Sequence, residues 1–148
     1  MSTYTQIIYQ IVFGTKYRNH SLTKKGRPDL FRYITVLLQN KKCHLYQING
    51  VEDHIHIVLS LHPSVSLASL VKDIKVASTI FIKEHKLFKD FIGWQEGYGA
   101  FTYTIKEKHR LIKYVMNQET HHKIKSFKDE YMELLNEHGV HFNEAYLL

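Results

Sequence analysis

His44-Leu-Tyr-Gln-Ile-Asn-Gly-Val-Glu-Asp-His-Ile-His-Ile-Val-Leu-Ser-Leu61 reads as two strands, 44–50 and 54–61, joined through Asn49-Gly50, a dipeptide that favours turns. Both arms carry β-branched and aromatic residues, and the second alternates histidine with isoleucine before running apolar. Working outward, residues 4–13 (Tyr-Thr-Gln-Ile-Ile-Tyr-Gln-Ile-Val-Phe) form a further strand by the same composition. Between them Leu30, Phe31, Ile34, Leu37 and Leu38 recur at helical spacing, predicting a helix from about Pro28 to about Lys42. On the other side, Ser66 is a candidate N-cap for a helix through Leu67, Leu70, Val71, Ile74, Ala77 and Phe81 to about Glu84. Residues 93–104 read as a fourth strand, loosened by Gly97 and Gly99. Helices over 106–122 and 127–138 follow, the last carrying Phe127, Tyr131, Leu134 and Leu135 inward and stopping at Gly139, a natural C′ residue. The order β-α-β-β-α-β predicts an α+β, ferredoxin-like antiparallel sheet with helices on one face, plus C-terminal helices. That fold hosts many functions and decides none.

The 148 residues make one domain's worth of chain, 1–148, and 44% hydrophobic content with 13% aromatics supports a real core. Twenty Lys and Arg against fourteen Asp and Glu give a net charge of +6 and a pI of about 9.3, a balance that favours phosphate-rich partners. The first residues lack the basic and apolar regions of a signal peptide, and no apolar run approaches the roughly 18–20 residues of a membrane span. A single cysteine, Cys43, cannot form an internal disulfide. We therefore expect a cytoplasmic protein without a membrane partner. The absence of cysteine pairs also excludes a structural zinc finger.

Two places carry chemistry. In the strand at 54–61, His54 and His56 point to one face while Ile55 and Ile57 point into the core. Two imidazoles on one sheet face, roughly 7 Å apart along the chain, can converge on one divalent cation. Eleven histidines make one such pair by chance, so the pair gains meaning only in company. His121 and His122 sit at a helix end where cations are favoured anyway, and the remaining histidines read as solvated. The second place is Leu111-Ile-Lys-Tyr-Val-Met-Asn-Gln118. Here Leu111, Ile112, Val115 and Met116 share the face expected to pack on the sheet. Tyr114 and Gln118, four apart, lie on its flank with His121 nearby and Arg110 one turn earlier.

Taken together, these stretches resemble the single-tyrosine HUH transposases, small enzymes of certain insertion sequences and their REP-associated relatives. His54-Ile55-His56 matches the HUH element of a histidine, a bulky hydrophobe and a histidine, and Tyr114 and Gln118 match the family's Tyr-x-x-x-Gln helix. Trp94-Gln-Glu-Gly-Tyr-Gly-Ala-Phe101 resembles its aromatic-glycine strand, and Thr15-Lys16-Tyr17-Arg18 the segment after its first strand. Lys75 stands at a recurrent basic position of the second helix. The likeness runs from Tyr4 to about Tyr146, and four motifs in order are specific where each alone is not.

The resemblance implies a metal-dependent single-stranded DNA transposase. His54, His56 and Gln118 would hold Mg²⁺ or Mn²⁺ in a half-open shell without a carboxylate, and Tyr114 would be the nucleophile. Cleavage and rejoining of hairpin-bearing single-stranded DNA would pass through a 5′-phosphotyrosine link, without a nucleotide cofactor. Lys16, Arg18, Lys72 and Lys75 are candidate phosphate contacts, Tyr17 and Trp94 candidate stacking faces, and Arg110 a source of positive field near the tyrosine. The family implies a homodimer. Two alternatives stand beside this reading: an HUH-type replication-initiator or mobilisation nickase, and a non-catalytic ferredoxin-like nucleic-acid-binding protein.

Overall fold

In the computed structural model, which describes residues 2–147, the alternation of the central strands separates two cores. Strands β1 (Ile8–Gly14), β2 (His44–Gly50), β3 (His54–Ser60) and β4 (Gly99–Tyr103) form one antiparallel sheet in the order β2-β3-β1-β4. Odd-numbered residues Ile11, Phe13, Ile55, Ile57 and Leu59 face helices α1 (Arg27–Asn40) and α2 (Leu67–Glu84), packing on Leu30, Ile34, Leu38, Leu70 and Ile74. Even-numbered residues of β1 and β3, with the odd-numbered Phe101 of β4, face the opposite way. Ile8 and Val58 meet Leu111 and Val115 of helix α3 (Lys108–Met116). Val12 and Phe101 meet Phe127, Tyr131, Leu134 and Leu135 of helix α5 (Phe127–Glu137). A single turn, α4 (Gln118–His121), joins the last two helices. The ferredoxin-like βαββαβ order is as the sequence predicts, and the C-terminal helices cover the second face of the sheet.

The boundaries shift for physical reasons. Strand β1 starts at Ile8, where its ladders with β3 and β4 begin, because residues 4–7 have no partner strand. The stretch 93–98 is a loop, with Gly93 at φ 141° and Gly97 at φ 79°, held to the end of β1 by a bridge from Trp94 to Thr15 and by Gln95 N donating to Gly14 O at 2.9 Å. Asn49 and Gly50 are strand residues, paired with His56 and Ile55, and the turn is Val51–Asp53, closed by Val51 N donating to His54 O at 3.1 Å. Gly50 is needed for close approach: a Cβ there would lie 2.5 Å from the carbonyl oxygen of His54.

The helix expected over 106–122 breaks at Asn117 (φ −95°, ψ 23°). Asn49 causes the stop, its Nδ2 donating to the carbonyls of Val115 and Met116, both at 3.0 Å, groups a continuing helix would have claimed. Ser66 and Ser126 cap α2 and α5 by accepting from Ser69 N and Asp129 N. Gly139, at φ 67°, ends the last helix as expected. Among the described residues, no helix is long and apolar enough to cross a membrane.

Candidate active site

His54 and His56 lie on the even face of β3, beneath α3, α4 and α5, and neither is exposed. His54 stacks on the ring of Phe127, with centroids 3.9 Å apart and planes 3° off parallel. Its Nδ1 meets Asp53 Oδ1 at 2.7 Å, and its Nε2 faces Gln118 Oε1 at 3.3 Å. His56 Nδ1 meets the Gln10 side-chain amide at 2.9 Å, and Gln10 Oε1 accepts from the Tyr103 hydroxyl at 2.6 Å. Each histidine thus has one ring nitrogen fixed by the scaffold and the other aimed into the interior.

Glu130 of α5 stands where those nitrogens aim. Its Oε1 lies 3.2 Å from His54 Nε2, 2.9 Å from His56 Nε2 and 3.0 Å from His122 Nε2. Its Oε2 accepts from Gln118 Nε2 at 3.1 Å and from the Tyr114 hydroxyl. One ligand atom from each of His54, His56, His122 and Glu130 falls within 4.8 Å of the others. Tyr114 stacks on His121, with centroids 4.7 Å apart, and sets its ring edge-on to His56 at 6.0 Å.

The electrostatics follow from this packing. Burial pushes the Glu130 carboxyl up, but the charge of His56 and the hydrogen bonds of His122, His54 and His56 outweigh it and hold the group well below the usual carboxylate range. Burial also pushes Asp53 up and is outweighed by the hydrogen bond and charge of His54, with His20 and His122 adding to the fall. Burial pulls His54 down, yet its bonds to Asp53 and Glu130 carry it above an ordinary imidazole. Tyr114 is pushed up by burial first, then by the charge of Glu130 and the bond it donates there. Without a compensating cation the hydroxyl is held as a neutral phenol.

The structure brings His54, His56, Tyr114 and Gln118 together within one chain, and it adds residues that sequence reasoning missed. The sequence reads His122 as a helix-end cation and the resemblance implies a shell without a carboxylate, whereas in the structure the Glu130 carboxylate faces His54, His56 and His122 together. A signal was present: Glu130 falls on the buried stripe of Phe127, Tyr131 and Leu134, where an unpaired carboxylate is costly. Met116, expected inward, is 57% exposed because its helix ends there.

The candidate DNA contacts divide. Trp94 is 8% exposed, packed edge-on against Phe13 and Phe91, with its indole N–H donating to Ser78 Oγ at 2.9 Å, so it offers no face to a base. Lys75 donates to the carbonyls of Gln95 and Gly97 at 2.9 and 2.5 Å, which spends its charge on holding the 93–98 loop. Lys72 is exposed on α2, across the sheet from the histidines. Arg110 is exposed, bonds Glu107 at 2.9 Å and lines a cavity of about 250 Å³ with Tyr103, Tyr114, Glu130, Glu133 and Glu137. Lys16, Tyr17 and Arg18 are exposed on the turn after β1, and Arg18 shares a surface cavity with His20, Asp53, Phe127 and Lys128.

The model of the IS200-like transposases matches residues 3–118, which leaves His122 and Glu130 beyond the matched stretch. The transposase for insertion sequence element IS200 from Salmonella typhimurium is 28% identical over 76 residues, 51% of this chain and 50% of that protein. The chain thus spans about half the length of that curated relative. A crystal structure of a protein described as a transposase from Deinococcus radiodurans R1 superposes with a TM-score of 0.60 at 21% identity, covering 80% of this chain and 95% of the other. The REP-associated tyrosine transposase bound to a REP hairpin gives a TM-score of 0.58 at 16% identity, covering 82% of this chain and 74% of that one. At these identities the likeness shows the fold.

Proposed function

The chain belongs to the family of IS200-like transposases, and from that premise we propose that residues 1–148 form one domain that cleaves and rejoins hairpin-bearing single-stranded DNA through Tyr114. The observation that carries the reading is the convergence of the Tyr114 hydroxyl, His54, His56 and Gln118 on one buried cluster. A structural neighbour bound to a REP hairpin supports the hairpin as substrate. The donor set fits a divalent cation, because two imidazoles with their second nitrogens fixed by Asp53 and Gln10 face an amide oxygen and a carboxylate. Mg²⁺ or Mn²⁺ bound there would supply Lewis-acid stabilisation of charge on the scissile phosphate. Tyr114 oxygen attacks phosphorus and gives up its proton to solvent, and the bond from phosphorus to the 3′ oxygen breaks, that oxygen taking up a proton. The products are a 5′-phosphotyrosine and a free 3′-hydroxyl. The phosphodiester energy is kept in the covalent link, so no nucleotide cofactor is required. Arg18 lines a surface cavity with Asp53 and Phe127, and with its exposed neighbours Lys16 and Tyr17 it receives the strand. The family likeness further supports a homodimer, and within one chain Tyr114 stands beside its own His56.

The test is a denaturing gel of labelled single-stranded hairpin DNA incubated with Mg²⁺ or Mn²⁺. The unmodified protein yields a protein–DNA adduct. Tyr114→Phe keeps its fold and DNA binding and yields none, and His54→Ala and His56→Ala yield none. Gln118→Ala is milder, since water can replace a neutral oxygen. An adduct that persists in Tyr114→Phe would sink the assignment and direct attention to Tyr98, Tyr103 or Tyr131.

A further inference from the structure

We propose that the metal shell extends into the last two helices: His122 and Glu130 join His54 and His56 as ligands of one divalent transition-metal ion, with Glu130 as the charged ligand. The inference rests on the metal reading above and changes its ligand set. It makes the site one for Mn²⁺, Co²⁺ or Zn²⁺ in preference to Mg²⁺.

Three lines of geometry lead there. The first is hydrogen-bond accounting. Glu130 Oε1 faces three imidazole nitrogens at 2.9–3.2 Å while Oε2 takes Gln118 Nε2 and the Tyr114 hydroxyl. Five donors would crowd a carboxylate that offers about four lone-pair sites. Ring nitrogens that instead present lone pairs beside the carboxylate describe a cation's ligands.

The second line is tautomer control. Asp53 Oδ1 at 2.7 Å accepts the Nδ1 proton of His54, which leaves Nε2 as a lone pair aimed at Glu130. A lone pair pointing at a carboxylate oxygen repels unless a proton or a metal ion lies between them, and an ion in the proton's place completes a carboxylate–histidine–metal triad. On His56 the Gln10 Nε2 lies 2.9 Å from Nδ1, with Gln10 Oε1 held by the Tyr103 hydroxyl; turning that amide over, an exchange of N and O in the same volume, gives Nδ1 an acceptor and leaves Nε2 free for a cation.

The third line is spacing and charge. Bonds of about 2.0–2.1 Å at angles of about 90–109° set neighbouring ligand atoms about 2.9–3.4 Å apart, close to the separations from Oε1, and an ion of more than four ligands keeps a position for the phosphate. Glu130 is 2% exposed on the apolar stripe of α5, where an ion offsets the cost of burying its charge. Three imidazoles favour later first-row ions over Mg²⁺, which prefers oxygen ligands and keeps its waters.

Co²⁺ titrated into the full chain, followed by visible absorption, tests the ligand set without reference to cleavage. Unmodified protein should develop the intense bands of low-coordinate Co²⁺ and keep them against excess Mg²⁺. Glu130→Gln, which preserves shape, should weaken Co²⁺ binding on the order of 10- to 100-fold and alter the bands, with circular dichroism unchanged. His122→Asn should do the same from a half-buried position, and it decides the matter should Glu130→Gln fail to fold. Glu84→Gln, exposed on α2, should change nothing. If Glu130→Gln and His122→Asn bind Co²⁺ with unmodified affinity and spectrum while His54→Ala and His56→Ala lose it, the extended shell is wrong and the histidine-pair site stands. If unmodified protein takes up no Co²⁺, both the extended shell and the metal part of the proposed function fall together.

Discussion

Trp94 and Tyr17 have the same aromatic chemistry and opposite fates. Trp94 is held on three sides by Phe13, Phe91 and Ser78, whereas Tyr17 is 81% exposed in a left-handed conformation at φ 57°, followed by Arg18 at φ 54°. Two consecutive non-glycine residues at positive φ store strain, a pattern that concentrates at functional sites. Removing the buried indole by Trp94→Ala should cost about 3–5 kcal/mol, read by denaturant unfolding, while the folded fraction binds single-stranded DNA as before. Tyr17→Ala should move stability by no more than about 0.5 kcal/mol and weaken DNA binding through the lost stacking face. Equal DNA affinity in the unmodified and Tyr17→Ala proteins would remove that residue from the DNA path.

At the scale of elements, the site depends on where helices stop and how close they come. Asn49 of β2 takes the last carbonyls of α3, and the chain turns at Asn117 so that Gln118 enters the cluster from a new helical turn. α5 reaches the histidines because Gly99 of β4 leaves room: a Cβ there would lie 2.8 Å from the Tyr131 ring and 3.0 Å from its hydroxyl oxygen. Gly99→Ala should therefore push α5 outward and displace Glu130, one turn before Leu134, without altering any donor. Its expected signature is a loss of stability of about 1–3 kcal/mol from overpacking together with weaker Co²⁺ uptake. Lost stability with unaltered Co²⁺ binding would show that the position of α5 does not control the cluster.

Over the whole molecule, Tyr103, Tyr114 and Tyr131 lie in the layer between the sheet and the C-terminal helices. Burial pushes Tyr131 up to about 12. Burial and nearby glutamates push Tyr103 and Tyr114 higher still. The folded values lie above the ordinary one near 10, so between them the folded chain keeps protons that the unfolded chain releases. Stability from these phenols is therefore complete below about pH 10 and is lost as pH rises through the folded values. A near-ultraviolet phenolate titration should show a late group that ionises together with alkaline unfolding, and Tyr131→Phe should shrink that late step. Ionisation of all tyrosines in one ordinary step, with the fold intact, would contradict the packing of this layer.

What the sequence by itself determined is what depends on near neighbours along the chain. The alternation His54-Ile55-His56-Ile57 set both imidazoles on one face. The apolar spacing of 30–38 and 67–81 made helices, and the order of the segments led to the sheet. The spacing of Tyr114 and Gln118 carried them to one region even though the helix between them breaks. Tertiary structure decided what depends on residues far apart in sequence. Glu130 meets His56 across 74 positions, and Trp94 meets Ser78 across 16, through contacts that no periodicity encodes. Asn49-Gly50, a turn by composition, became strand because β3 supplied partners for its backbone. The buried stripe of α5 marks Glu130 as unusual, but nothing along the chain joins it to His122 at the end of α4 until the packing of α5 on the sheet puts both against the same two rings.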